Sequence, residues 1–265
     1  MARINKNLAL INDYNTLKNT VKKHKIMRNN KYWVFGKNPL IELIKKKVNI
    51  SQVLVTKEKF KSLSSHIPKS INIKIVNKNQ IDILNKHKIN TQGVAVLINK
   101  KEKTTLIDHL NQNVKNKSTY VLLNNISDQR NIGSIIRVCA AFEVNGVIIN
   151  KKYFNQTNEL MIKASAGTSH HIDLIEVSND ANTIKELKKK NYWIYALDGY
   201  ADNSLDDIKW HDKSVLVVGS EEKGIQELLK KVSDIKIKIP ISKNVESLNV
   251  SNALSIALYK KNSPS

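Results

Sequence analysis

The residues best suited to chemistry lie in three polar segments, each placed just after an apolar run. Residues 125–137 carry Asn131, Gly133 and Arg137; residues 217–225 carry Gly219, Glu221 and Gly224; residues 239–254 carry Ile239, Ser247, Leu248, Asn249 and Ser251. In the third, a polar cluster precedes an apolar run, so Ser247, Asn249 and Ser251 have the form of a helix N-terminus that offers hydroxyls, an amide and free backbone N–H groups to a ligand. In the first, Asn131 and Arg137 open one helix. Arg137 lies about two turns on and reaches the rim only by leaning toward the N-terminus, as helical side chains do; otherwise it is a surface arginine. In the second, Gly219 and Gly224 bracket a strand-to-helix loop. That loop is neither the dinucleotide fingerprint GxGxxG nor a phosphate loop, which disfavours NAD and ATP enzymes, and a bland turn would also explain two glycines.

Two scarcities sharpen these positions. Average usage would give about 18 glycines in a chain of this length, and this one has eight. Gly133, Gly167, Gly219 and Gly224 therefore mark junctions where a side chain is not tolerated. Arginine occurs only at positions 3, 28, 130 and 137. A chain that otherwise uses lysine keeps arginine where a planar, always-charged fork is needed. Other combinations carry less. His170 and His171 have the look of a metal or acid-base pair, but adjacent side chains diverge, and a ligand role is disfavoured. The run Lys163 to Thr168 is a small-residue stretch suited to close packing, and Trp33, Trp193 and Trp210 suit a core or an interface.

The elements that must position these residues alternate. Apolar strands at 121–123, 147–149, 172–177, 193–197, 215–218 and 235–239 are separated by helical patterns starting near Ile132, Leu160, Ala181, Ile225 and Leu248, which implies βα units and a largely parallel sheet. Ligands of such sheets bind at the carboxyl ends of the strands, and all three polar segments begin where a strand ends. No glycine-rich loop follows the first of these strands, which argues against the Rossmann type of methyltransferase. Residues 31–98 read as a smaller α/β unit, with Asn38 and Pro39 opening a helix, strands at 53–55, 73–76 and 94–98, and helices at 60–67 and 80–87. The polar stretch from Asn99 to Thr105 is the best linker.

Charge is uneven. Residues 1–100 hold 21 Lys or Arg against 4 Asp or Glu, and residues 101–265 hold 23 against 19, giving +17 and +4 of the total +21. A positive half is the footprint of a polyanion, most often a nucleic-acid backbone, although part of the lysine excess fits a chain biased toward Lys, Asn and Ile. The single Cys139 excludes an internal disulfide and a cysteine zinc site, and fits a reducing cytoplasm. No apolar run reaches the roughly 18 residues of a membrane span. Residues 1–30 read as a basic, flexible arm.

In this order, the three segments resemble the motifs of the SpoU (TrmH-type) RNA 2'-O-ribose methyltransferases of the SPOUT superfamily. Phe35 to Pro39 and Thr91 to Val94 resemble the RNA-binding domain of the RlmB-like branch. The resemblance implies an α/β fold: a mostly parallel sheet closed by a C-terminal trefoil knot, preceded by a small α/β RNA-binding domain. The expected division is a basic extension at 1–30, an RNA substrate domain at 31–98, a linker at 99–118 and a SPOUT catalytic domain at 119–265. It further implies S-adenosylmethionine as cofactor, held by Gly219, Ile239, Leu248, Leu197, Gly224 and Ser251, and a homodimer with no metal and no membrane. Arg137, Asn131, Glu221, Ser247 and Asn249 would carry catalysis. Arginine is too weak an acid to serve readily as a base, so Arg137 is expected to stabilise the developing alkoxide by charge and hydrogen bonding. The favoured substrate is a guanosine in large-subunit ribosomal RNA. The alternatives are a transfer-RNA ribose methyltransferase and a non-catalytic RNA-binding or ribosome-assembly protein. Two positions depart from the family pattern: Gln129 replaces a usual proline and Glu222 a usual glycine.

Overall fold

The computed structural model describes residues 30–263; the expected basic arm lies almost wholly outside them. Two sheets organise the chain. The smaller has strands β1 (Lys31–Phe35), β2 (Ile50–Val55), β3 (Ile73–Ile75) and β4 (Val94–Asn99), in the order β1-β4-β2-β3. β4 runs antiparallel to β1 and β2, and β2 and β3 are parallel. Helices α1 (Lys37–Lys45), α2 (Lys57–Leu63) and α3 (Lys78–Asp82) connect them. α1 starts earlier than its Asn-Pro pair suggests: Gly36 takes the cap position with φ 113°, and Pro39 is buried in the first turn. The segment expected as helix 60–67 ends at Leu63 and continues as a tight 3-10 turn over Ser64–His66.

The larger sheet has the order β7-β6-β5-β10-β8-β11-β9, all pairs parallel. Its strands are β5 (Ser118–Asn124), β6 (Gly146–Asn150), β7 (Asp173–Val177), β8 (Trp193–Leu197), β9 (Asn203–Ser204), β10 (Lys213–Gly219) and β11 (Ile235–Lys238). Helices α4 (Leu106–Gln112), α5 (Gln129–Ala141), α6 (Glu159–Ala164), α7 (Asp180–Lys189), α8 (Glu227–Val232) and α9 (Val250–Asn262) cover both faces. Because strand side chains alternate faces, the apolar runs split cleanly. Val121, Leu123, Leu216 and Val218 enter one core, while Tyr120, Leu122, Val215 and Val217 enter the other.

Residues 99–118, expected as a linker, include α4, which Thr105 caps by accepting from Asp108 N. Leu106 and Leu110 of α4 are buried in the second core. The small unit is docked rather than tethered. Its buried Val34, Leu40 and Val96 belong to the same apolar cluster as Ile132 and Met161, and the segment 158–171 meets it through polar contacts. Glu159 accepts from Lys86 N and His87 N at 3.3 and 2.9 Å. His171 lies 3.0 Å from Glu42, and His170 3.4 Å from the Tyr32 hydroxyl. The adjacent histidines thus serve the junction between units.

Candidate active site

The carboxyl ends of β8, β10 and β11 meet the start of α9 around a cleft of about 600 Å³. Leu197, Val218, Ile239 and Leu248 supply apolar wall, and Gly219, Gly224 and Ser247 also line it. This is the carboxyl-end rim on which an open parallel sheet places its ligand. Within the loop 239–248, only Asn244 and Val245 donate backbone N–H bonds to protein partners among the described residues. The loop's other backbone N–H groups remain available to a bound molecule.

Beside the cleft, three residues distant in sequence converge. Glu221 Oε1 accepts from Asn131 Nδ2 at 3.1 Å and from Asn249 Nδ2 at 2.6 Å. Asn249 Nδ2 also reaches Asn131 Oδ1 at 3.2 Å. Each has a local reason to be there. Asn131 sits in the first turn of α5, whose cap is Asp128 accepting from Arg130 N at 2.7 Å. Asn249 caps α9, accepting from Ser251 N at 3.0 Å and from Ser251 Oγ at 2.6 Å. Both Asn249 amide hydrogens and its oxygen are therefore engaged, and it acts as a lock joining α9, α5 and the loop after β10. Glu221 lines the cleft itself, and its Oε2 has no protein donor among the described residues.

The glycines of that loop act differently from one another. A Cβ on Gly219 would overlap the Gly224 carbonyl and Ile225 N, so the loop closes on itself only because position 219 is bare. At Gly224 there is open space but φ is +60°, a backbone conformation that costs other residues. Gly133 is a packing site: a Cβ there would strike Met161 O and the Ala164 methyl, so α5 and α6 lie in close contact.

Not all expected residues join the site. Ser251 is buried and bonded to Asn249 rather than lining the cleft. Its hydroxyl completes the cap, which explains both its type and its position. Arg137 is exposed on α5, opposite the buried stripe of Ile132, Ile135, Ile136 and Cys139, and makes no side-chain bond among the described residues. Gln129, where the family pattern has proline, occupies the first position of α5, and its Nε2 donates to Tyr153 O at 2.9 Å.

Among the cleft residues that escape sequence reasoning are Asp198, Tyr200 and Lys230. Lys230 pairs with Asp198 at 3.1 Å and with Glu227 at 3.0 Å, and the hydrogen bond to Glu227, then that to Asp198, raises its pKa. Asp198 directly follows a strand, which is a usable signal; Lys230 carries none. Beneath the rim, buried Asn124 donates to Asp180 at 2.9 Å and accepts from Gln226 N at 2.9 Å, with Asn150 donating to Asp180 at 3.1 Å. These bonds tie the ends of β5 and β6 to the starts of α7 and α8. Among the described residues no group of three or more His, Cys, Asp or Glu could hold a metal ion, and no helix is long and apolar enough to cross a membrane. Burial pushes the Cys139 thiol pKa well up.

Comparison with known proteins agrees with this geometry. A family model described as the SpoU rRNA Methylase family matches residues 118–259, and one described as RNA 2'-O ribose methyltransferase substrate binding matches residues 33–104. The chain is 32% identical over 238 residues to an uncharacterized tRNA/rRNA methyltransferase of Mycoplasma genitalium, covering 85% of this chain and 95% of that one. It is 39% identical over 174 residues to a putative TrmH family tRNA/rRNA methyltransferase of Staphylococcus haemolyticus, covering 64% and 69%. Among solved structures, the SpoU methyltransferase AviRb of Streptomyces viridochromogenes with AdoMet superimposes with a TM-score of 0.74 at 17% identity, over 89% of this chain and 91% of that one. A structure described as an RNA 2'-O ribose methyltransferase gives 0.75 at 16% identity over 90% of each chain. At these identities the structural likeness speaks to the fold.

Proposed function

The chain belongs to the SpoU rRNA methylase family, and we propose that it methylates a ribose 2'-hydroxyl of RNA with S-adenosylmethionine as methyl donor. The observation that carries this reading is the convergence of Asn131, Glu221 and Asn249 at the edge of the strand-end cleft. The cleft fits the cofactor: its volume of about 600 Å³ suits a nucleoside-sized ligand, with apolar wall at Leu197 and Leu248 for a base and unpaired backbone groups in loop 239–248 for its polar edges. When bound, S-adenosylmethionine supplies a methyl group made electrophilic by sulfonium charge.

The chain's own residues have the remaining work. A ribose hydroxyl is a poor acid, so it must be held in line and relieved of its proton as the new bond forms. We assign to Glu221 Oε2, which has no protein donor among the described residues, the hydrogen bond from that hydroxyl and then its proton, while Oε1 is held by the two asparagines. Arg137, which stands on the exposed face of α5 apart from that cluster, is assigned the neighbouring phosphate and the charge opposite the developing alkoxide. Ser247 and Leu248, which line the cleft, are assigned to the cofactor.

The favoured substrate is a guanosine of large-subunit ribosomal RNA, bound through the small unit at 31–98 while residues 119–265 perform the transfer. Support comes from the substrate-binding match over residues 33–104 and from the basic character of that half. The relatives' names cover both tRNA and rRNA, and transfer RNA is the alternative. A homodimer, a knotted C-terminal segment and action in the cytoplasm belong to the same proposal. The test supplies ribosomal and transfer RNA from a strain lacking this gene, labels them with methyl-tritiated S-adenosylmethionine and maps alkali-resistant linkages. One new 2'-O-methyl position in large-subunit RNA is the expected result. Label confined to transfer RNA would move the substrate, and label in neither would overturn the reading.

A further inference from the structure

A second cleft lies in the small unit, and none of the three motif segments lines it. It has a volume of about 640 Å³ and opens at the carboxyl ends of the parallel pair β2 and β3, with the turn before β4 as its third wall. Lys57, Lys59 and Lys78 line it, and none forms an ion pair among the described residues, although Glu58 is adjacent. Ile75 is half exposed on the lining and gives the cationic cleft an apolar side chain. Asn90 and Gln92 close the third wall. Their oxygens are fixed, since Gln92 Oε1 accepts from Lys37 N at 3.1 Å and Asn90 Oδ1 from Gln92 N at 3.0 Å. Their amide N–H groups make no protein bond among the described residues.

We propose that this cleft holds one unpaired nucleotide of the RNA, its phosphate among Lys57, Lys59 and Lys78 and its base between Ile75 and the free amides of Asn90 and Gln92. The inference rests on the reading of the chain as an RNA methyltransferase and adds the form of RNA that it recognises. Three lysines without an ion pair, against the single carboxylate of Glu58, call for a phosphate, an apolar side chain beside amide donors suits a base face and edge, and a pocket of this size does not admit a double helix. The location also gives the nucleotide a defined relation to the active site. Lys163 of α6 donates to Asn90 O, and α6 packs without a gap on α5 at Gly133. A nucleotide seated here would be held at a fixed offset from Asn131, as a ruler for choosing the target ribose.

The full-length protein is tested, because the small unit shares its core with α5 and α6. The probes are a short oligouridylate carrying 4-thiouridine, an RNA duplex of matched charge, and free uridine monophosphate. Irradiation should place adducts in residues 56–59, 75–80 or 90–93. The triple variant Lys57→Ala, Lys59→Ala, Lys78→Ala should bind the oligomer roughly tenfold more weakly, with a salt slope lower by about 0.7, as expected for the loss of one single-strand phosphate contact. Its melting temperature, compared with wild type, establishes that it is folded. In a folded variant, unchanged affinity and slope would overturn the proposal. Adducts only outside the cleft, duplex bound as well as the oligomer, or free nucleotide bound as tightly as the oligomer would each do the same. These readouts need no methyl transfer, so failure of the proposed reaction would be seen separately.

Discussion

Asn249 donates to Glu221 at 2.6 Å with the same amide whose oxygen caps α9. One side chain thereby fixes both the start of the last helix and the orientation of the carboxylate at the cleft. The two duties are separable. Asn249→Ala removes both and should cost about 1–2 kcal/mol of stability, the usual worth of a cap, together with roughly 100-fold of activity from misplacement of Glu221. Asn249→Asp keeps an acceptor for Ser251 N but exchanges two donors for a second carboxylate beside Glu221. That variant should melt close to wild type at mildly acidic pH, where the pair can share a proton, yet transfer methyl groups slowly. Full activity in Asn249→Asp would show that the donors do not matter.

Gly219→Ala tests the motif-two loop. The added methyl would overlap Gly224 and Ile225 N, so the obstacle is the chain's own backbone. The loop must move and the cleft wall with it. Cofactor affinity, measured by calorimetry, should fall at least about tenfold, roughly 1.4 kcal/mol. Gly224→Ala meets open space at φ +60° and should cost only about 1 kcal/mol in stability. Equal behaviour of the two variants would refute this division.

Stability should depend on pH through His170. Burial, then the charges of Lys101 and His171, lower its pKa from 6.5 to about 4. The unfolded chain therefore binds the proton more readily than the folded one between those values. The native advantage of the neutral ring is fully present above pH 6.5 and is lost as pH falls toward 4, an effect of the order of 2–3 kcal/mol. Melting followed from pH 7 to 4 should decline, and His170→Asn should flatten the curve. An unchanged slope would remove His170 as its source. Because His170 sits against Tyr32, the small unit should loosen first.

Part of this architecture is legible in the sequence and part is not, for physical reasons. Trp193–Leu197 is found end to end because a strand of a doubly covered sheet is an apolar run bounded by polar residues. β1 escapes because Lys31–Phe35 abuts a basic stretch and is defined by pairing with β4, as in Lys31 with Asn99. Asn131, Glu221 and Asn249 stand out because each follows a strand end, and the fold places them together. The buried Asn124–Asp180 bond joins residues 56 apart with no periodic trace. Sequence spacing likewise could not tell that Ser251 is buried and completes a cap outside the cleft lining.

Arg137 offers the sharpest test of the proposed chemistry, because nothing in the fold depends on it. Its side chain is exposed and has no protein partner among the described residues, so Arg137→Ala and Arg137→Lys should both leave stability within about 0.5 kcal/mol of wild type. Any loss of activity is then functional. If the residue contributes charge alone, lysine should preserve most of the rate; if a planar fork must hold a phosphate beside the reacting ribose, lysine should fail nearly as badly as alanine. The scarcity of arginine in a lysine-rich chain favours the fork. Single-turnover methylation at saturating RNA and cofactor separates this step from binding. We expect the lysine variant to fall at least about 100-fold, or some 2.7 kcal/mol in the barrier. A lysine variant within about threefold of wild type, some 0.7 kcal/mol, would remove Arg137 from the chemistry and leave Glu221 and its two asparagines as the site.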